Sequence, residues 1–112
     1  MSKFTPERIV EHHILTLLRA RGIFSWKNVT GGYWDPVRKI FRKQSSPFAI
    51  NGTSDILGIL PTGKFLAIEV KSKTGRASPE QIKFINTIND HGGIAFIARS
   101  VDDVMEKLNG YV

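Results

Sequence analysis

Apolar and polar positions alternate with two distinct periods along this chain, and the period changes where the turn residues lie. Residues 5 to 20 repeat at helical spacing, with Val10, Ile14, Leu17 and Leu18 on one stripe, Thr5-Pro6 as the entry and Gly22 as the stop. Ile23 to Val29 reads as a strand. Thr30 to Ser54 is a long, poorly periodic segment broken by Gly31-Gly32, Pro36, Ser45-Ser46-Pro47 and Asn51-Gly52, and long loops in small domains are usually functional or mobile. Asp55 to Leu60 and Phe65 to Lys71 are two strands joined by Pro61-Thr62-Gly63-Lys64, which predicts an antiparallel hairpin. Ser78-Pro79-Glu80-Gln81 opens a second helix with a capping signature, and Gly92-Gly93 stops it. Ile94 to Ala98 is a further strand, and Ser100 caps a last amphipathic helix reaching Leu108. The order is αβββαβα, which predicts an α/β domain with a central mixed sheet flanked by helices.

One strand breaks the expected pattern. In Phe65-Leu66-Ala67-Ile68-Glu69-Val70-Lys71, the residues Leu66, Ile68 and Val70 share one face while Glu69 and Lys71 stand on the other, beside Phe65 and Ala67. The first helix poses a related question, because Glu7 and Glu11 fall on the same arc as Ile14 and Leu18. A carboxylate aimed at a core is costly unless it is paired, hydrogen-bonded or bound to a cation. The alternative is that both stay solvated in the first turns, where the helix dipole favours them. Gln81 also points inward, between Ile85 and Ile88, either as the reciprocal partner of Ser78 in a capping box or in a functional role.

Asp55 follows the turn-forming Asn51-Gly52-Thr53-Ser54, and antiparallel pairing brings it beside Glu69. Two such carboxylates with a few waters suit Mg²⁺, which keeps much of its hydration and seeks octahedral oxygen coordination. Lys71, on the same face, is placed to position or help deprotonate a water there and to offset charge on a phosphorane-like transition state. Against this stands a simple Glu69–Lys71 ion pair, worth well under about 1 kcal/mol at a surface. The whole set favours the metal site: Gly52-x-x-Asp55, a short turn, Glu69-x-Lys71, Gln81 at a helix start and an inward Glu upstream.

Composition narrows the partners. The chain has 112 residues, enough for a single domain, with 41% apolar and 23% charged residues, no repeat and no low-complexity tract. Its net charge of +6 favours a polyanion, with nucleic acid first. The long segment and the strand before it supply Lys27, Arg38, Lys39, Arg42 and Lys43 against Asp35, interleaved with Trp26, Tyr33, Trp34 and Phe41. Cations there serve phosphates, and the aromatics either stack on exposed bases or pack on the core, the latter being favoured for Trp26. Lys73 and Arg76, beside Lys71, are the better phosphate contacts, while His12 and His13 lie away from the carboxylate direction. The absence of cysteine excludes disulfides, thiolate nucleophiles and thiolate zinc sites. The lack of a membrane-length apolar run and of a signal-peptide pattern gives an intracellular expectation, in a bacterium or a phage-infected cell.

At these residues the sequence resembles the virus-type replication-repair nucleases, the VRR-Nuc family of the PD-(D/E)XK superfamily. The resemblance runs from the helix bearing Glu7 through GTSDILGILPTGKFLAIEVKSKTGRASPEQ to GGIAFIARSVDDVMEKL. It implies a restriction-endonuclease-like αβββαβ core and Mg²⁺- or Mn²⁺-dependent cleavage of DNA phosphodiesters, with DNA repair as the setting. For a stand-alone copy it implies a homodimer cutting branched DNA such as Holliday junctions; flap or site-specific cutting is the alternative, and a non-catalytic basic DNA-binding module the reading outside the nucleases. Residue by residue it implies Asp55 and Glu69 as metal-binding acids, the Val70 backbone carbonyl as a further metal ligand, Lys71 as the catalytic lysine and Gln81 as the helix glutamine. Glu7 fits the helical glutamate, and Glu11 departs from the family by standing where members commonly have Gln.

Overall fold

The computed structural model describes residues 5–29, 33–42 and 46–111. Helix α1, Pro6–Ala20, begins where the Thr5 hydroxyl accepts the Arg8 N–H at 3.2 Å, with proline in the first turn, where its missing donor has no cost. Strand β1, Phe24–Lys27, follows and is shorter than expected. The long segment is not uniformly irregular. It contains a separate antiparallel hairpin, β2 (Tyr33–Asp35) and β3 (Ile40–Arg42), pairing Trp34 with Phe41. Strands of three residues carry no readable period. Their turn is local chemistry: Asp35 Oδ1 accepts from Val37 N at 3.0 Å and Arg38 N at 3.1 Å, and Lys39 adopts φ 56°.

Strands β4, Ile56–Ile59, and β5, Phe65–Val70, form the expected hairpin, and β6, Ile94–Ala98, lies parallel to β5. The sheet order is β1-β4-β5-β6, so the β5–β6 connection is a crossover through helix α2, Pro79–Asp90. Helix α3, Val101–Lys107, closes the described chain, with the Ser100 hydroxyl accepting the Asp103 N–H. This is the mixed α/β architecture expected, with helices on both faces of a central sheet.

Each face has its own core. Ile56, Leu66, Ile68, Val70, Phe96 and Ala98 pack with Ile14 and Leu18 of α1 and with Val104 and Leu108 next to and within α3. On the opposite face Ala67 and Ala95 pack with Phe84 and Ile85 of α2. Strand β5 is therefore covered on both sides, and every residue from Leu66 to Val70 is buried. The face shared by Phe65, Ala67 and Glu69 is not an open one.

Helix α2 packs against β5 and β6, which leaves the same face of β1 uncovered. Phe24 is 68% exposed, Trp26 tilts against it at a ring separation of 5.4 Å, and Ile59, the register partner of Phe24, is also exposed. Trp26 is thus not a core residue, because β1 is an edge strand beyond the reach of α2. No described helix is long and apolar enough to cross a membrane.

Gly52 fixes the approach to β4. Its φ is +80°, and a Cβ there would fall 2.7 Å from the Gln81 nitrogen and nearer still to the Glu80 carbonyl. Replacing it with alanine imposes both left-handed strain and a backbone clash, so Gly52→Ala is expected to destabilise the protein by about 1–3 kcal/mol, read as a shift in urea midpoint. An unchanged midpoint would mean that the loop does not bear on α2.

Candidate active site

Asp55, just before β4, and Glu69, near the end of β5, occupy neighbouring strands one step beyond the Ile56–Ile68 pair, on the α2 face. Asp55 is anchored by the Val70 backbone, whose N–H donates to Asp55 Oδ2 at 2.8 Å. A strand residue turns its N–H and C=O to the same edge, so the Val70 carbonyl faces the Asp55 side, while the next N–H, that of Lys71, donates to Ala98 on the opposite side.

Glu69 is 1% exposed, which is rare for a carboxylate. Its Oε1 accepts from the Gln81 side-chain amide at 2.9 Å and lies 3.6 Å from Lys71 Nζ. Its Oε2 is buried and has no hydrogen-bond donor among the described residues. The Asp55 carboxyl lies within proton-sharing reach, but two carboxylates without a shared proton repel each other. Burial, then the Asp55 charge and that shared hydrogen bond, push the Glu69 carboxyl up to about 8, against a partial lowering by Lys71 and a smaller rise from Glu7.

Gln81 does two jobs with one amide. Its carbonyl oxygen accepts the Ser78 N–H at 2.8 Å while the Ser78 hydroxyl accepts the Gln81 N–H, completing the capping box, and its NH₂ remains free to reach Glu69. The cap and the contact with Glu69 are thus made by the same side chain. The cap fixes the rotamer that aims the amide at the carboxylate.

The two helical glutamates diverge. Glu7 is half-buried and its charge reaches Glu69. Glu11 is buried and its Oε1 pairs with Lys27 Nζ at 3.0 Å, so the structure does not bring Glu11 into the group around Glu69. Lys73 and Arg76 are exposed on the loop after β5. Arg38 and Lys39 are exposed at the β2–β3 turn, and Arg42 lies 3.7 Å from Asp35; Lys43 lies outside the described residues. His12 and His13 are exposed on α1.

One positioning residue has no signal in the sequence. Arg99, at the end of β6, donates from one guanidinium nitrogen to the carbonyls of Ser72 at 2.5 Å and Gly75 at 2.7 Å, tying down the loop between Lys71 and α2. Its partners are backbone oxygens, so no residue type at a fixed spacing announces them. Two clefts flank the group: one of about 450 Å³ lined by Asn51, Gly52, Thr53, Asp55 and Gln81, and one of about 770 Å³ lined by Thr5, Glu7, Ser72, Lys73 and Arg99.

Oxygen donors fit a hard divalent cation. Among the described residues no three acidic or imidazole side chains converge on one point; Asp55 and Glu69 are the pair whose oxygens would hold one, and Glu69 Oε2 is the buried oxygen without a donor.

Residues 36–102, more than half of the chain, match the family model of the VRR-NUC domain. The chain belongs to the VRR-NUC family. Two solved structures share the fold of this VRR-NUC chain. One, a VRR_NUC domain, is 22% identical with a TM-score of 0.67, covering 97% of this chain and 100% of its own. The other, a VRR_NUC domain protein, is 18% identical with a TM-score of 0.58, covering 99% of this chain and 91% of its own. No curated protein matches the sequence. VRR-NUC membership carries a nuclease-type function, and the matched segment contains Asp55, Glu69, Lys71 and Gln81 but not α1 with Glu7 and Glu11.

The raised Glu69 carboxyl makes stability depend on pH. A carboxyl whose folded value exceeds its unfolded value near 4.5 stabilises the fold fully below that value and loses this contribution as pH rises through about 8. In EDTA the melting temperature should fall between pH 5 and pH 9, and Glu69→Gln, which stays neutral, should remove the slope and melt above the wild type at pH 9. Arg99→Ala should cost about 2–3 kcal/mol in chemical denaturation, since it leaves carbonyls without a charged donor; a loss under about 0.5 kcal/mol would show that the loop holds itself.

Proposed function

We propose that this VRR-NUC chain is a divalent-metal-dependent endodeoxyribonuclease that hydrolyses phosphodiester bonds in branched DNA, Holliday junctions foremost. The observation that carries the reading is the buried Glu69 Oε2, without a donor and facing a second carboxylate, with Lys71 on the other oxygen. Mg²⁺ or Mn²⁺ held by Asp55 and Glu69, with the Val70 carbonyl, would satisfy that oxygen and supply Lewis acidity toward the phosphoryl group.

The chain's own residues account for the rest. Gln81 and Lys71 fix the Glu69 carboxylate from two directions, so its free oxygen is preoriented. The Lys71 ammonium, 14% exposed along its side chain, donates toward the attacking water and the non-bridging phosphate oxygens. The water oxygen bonds to phosphorus as the bond to the leaving sugar oxygen breaks; solvent takes the water's proton and returns one to the leaving oxygen, while charge accumulates on the non-bridging oxygens nearest Lys71. Glu7 adds negative charge at the α1 end of the site and acts there with the two acids. Lys73, Arg76, Arg38, Lys39 and Arg42 take the flanking phosphates, in keeping with the +6 net charge. Paired cuts across a junction require two sites, and a two-fold homodimer supplies them.

Labelled four-way junction, flap and linear duplex incubated with Mg²⁺ test the proposal. The junction should be nicked on opposed strands, and Asp55→Ala and Lys71→Ala should each lower the rate by about 100-fold or more, the range for loss of an electrostatic or proton-transfer group. Wild-type rates in either variant would remove the assignment. Binding without turnover in any divalent metal would make the chain a DNA-binding module instead.

A further inference from the structure

The β2–β3 hairpin is built unlike the rest of the molecule. Its two strands pack on each other and on no other helix or strand beyond a marginal contact among the described residues. It has no core to bury. Even so, Trp34 and Phe41 stand directly opposite each other on one face and are 57% and 64% exposed, and Val37 at the turn is 89% exposed. Aromatic side chains paired across a ribbon and left exposed among the described residues form a surface for a flat apolar partner.

Charge selects the partner. Arg38, Lys39 and Arg42 outnumber Asp35 on the hairpin, and Asp35 is engaged by the turn amides and Arg42. The exposed cations Arg38 and Lys39 sit at the tip beside Val37. Flat rings with flanking cations suit unstacked bases and their phosphates, not an apolar protein groove.

Placement connects this surface to chemistry. The chain leaves β1 next to the site, because the Asn28 N–H donates to the Asp55 carbonyl at 2.7 Å and Lys27 pairs with Ile56. It returns through Gly52, seated against Glu80 and Gln81. The connection that carries the hairpin therefore leaves and rejoins the fold at the end of the sheet that carries Asp55 and Glu69.

From this geometry we infer that the β2–β3 hairpin is the branch-recognising arm of the protein: Trp34 and Phe41 stack on base faces unstacked at a DNA branch point while Arg38 and Lys39 hold the adjoining phosphates. The inference rests on the DNA reading above and adds to it the element that distinguishes branched from linear DNA. The interior of a linear duplex offers no free base faces, so the aromatic pair contributes only where stacking is interrupted.

The test needs no turnover and runs in EDTA. A four-way junction and a linear duplex of matched sequence each carry 2-aminopurine, at the branch point or the equivalent position. Wild type should bind the junction at least about 10-fold more tightly than the duplex and change the 2-aminopurine emission only there, as expected for base–aromatic stacking. Trp34→Ala/Phe41→Ala should bring the preference to within about 2-fold, leave duplex affinity within about 2-fold and abolish the emission change. Trp34→Phe/Phe41→Tyr should restore both, which separates stacking from a misfolded hairpin. Arg38→Ala/Lys39→Ala should weaken both DNAs alike and lower the salt slope by about 2. A preference that survives the alanine pair, a failed aromatic rescue, an unchanged salt slope, or conversion of a dimer to a monomer by the alanine pair in sedimentation would each overturn the arm assignment. Because cleavage is not read, a junction bound in this way but never cut would sink the nuclease proposal and leave the arm standing.

Discussion

The site is organised around a repulsion. Asp55 and Glu69 are held close by the β4–β5 register, Glu69 is taken almost entirely out of water, and one of its oxygens receives no donor. Burying a carboxylate beside another costs several kcal/mol unless a proton or a cation intervenes. Lys71 and Gln81 relieve this cost only in part, and they fix the carboxylate in place. Gln81 and Lys71 occupy one oxygen of Glu69, and the Val70 N–H holds Asp55, so neither carboxylate can rotate away without losing a bond. This strain in charge sits at the end of an otherwise apolar strand, and it is the feature on which the proposed metal site rests.

The secondary structure around the site serves the same end. The capping box that starts α2 also aims Gln81, and the Gly52 turn that starts β4 is wedged against that same helix start. Arg99 fastens the intervening loop from β6, so four elements meet at one end of the sheet with few free torsions among them. Precision of this kind is inexpensive, because each contact is one the fold already needs: a cap, a turn and a crossover loop.

How much of this was legible in the sequence follows from the range of each interaction. Helix α1, the β4–β5 hairpin and the α2 start were readable because stripe, turn and cap signals are local, and the family motif runs through that same stretch. The β2–β3 hairpin was not, since its short strands bury nothing and leave no alternation to detect. Trp26 was misjudged as core because a strand sequence does not tell which helix will cover it, and α2 stops short of β1. Glu7 and Glu11 share one helical arc and look equivalent; they are separated only by Lys27, a residue from another element that claims Glu11 at 3.0 Å. Arg99 escaped for a similar reason, its partners being main-chain oxygens that any sequence possesses.

That division between local and distant interactions also explains the distribution of apolar surface. Both faces of β5 are sealed, and the raised Glu69 carboxyl owes most to that exclusion of water. At the opposite edge, β1 and the hairpin beyond it leave Phe24, Trp26, Trp34 and Phe41 in solvent. A chain short of apolar material would have drawn these rings inward, yet the two cores close without them, using Ile, Leu, Val and Phe from the other elements. The exposed rings are thus not a shortfall of packing but surface left over once folding is complete. They lie on β1 and on the connection from it to Asp55, whose two ends are both fastened beside the buried carboxylates.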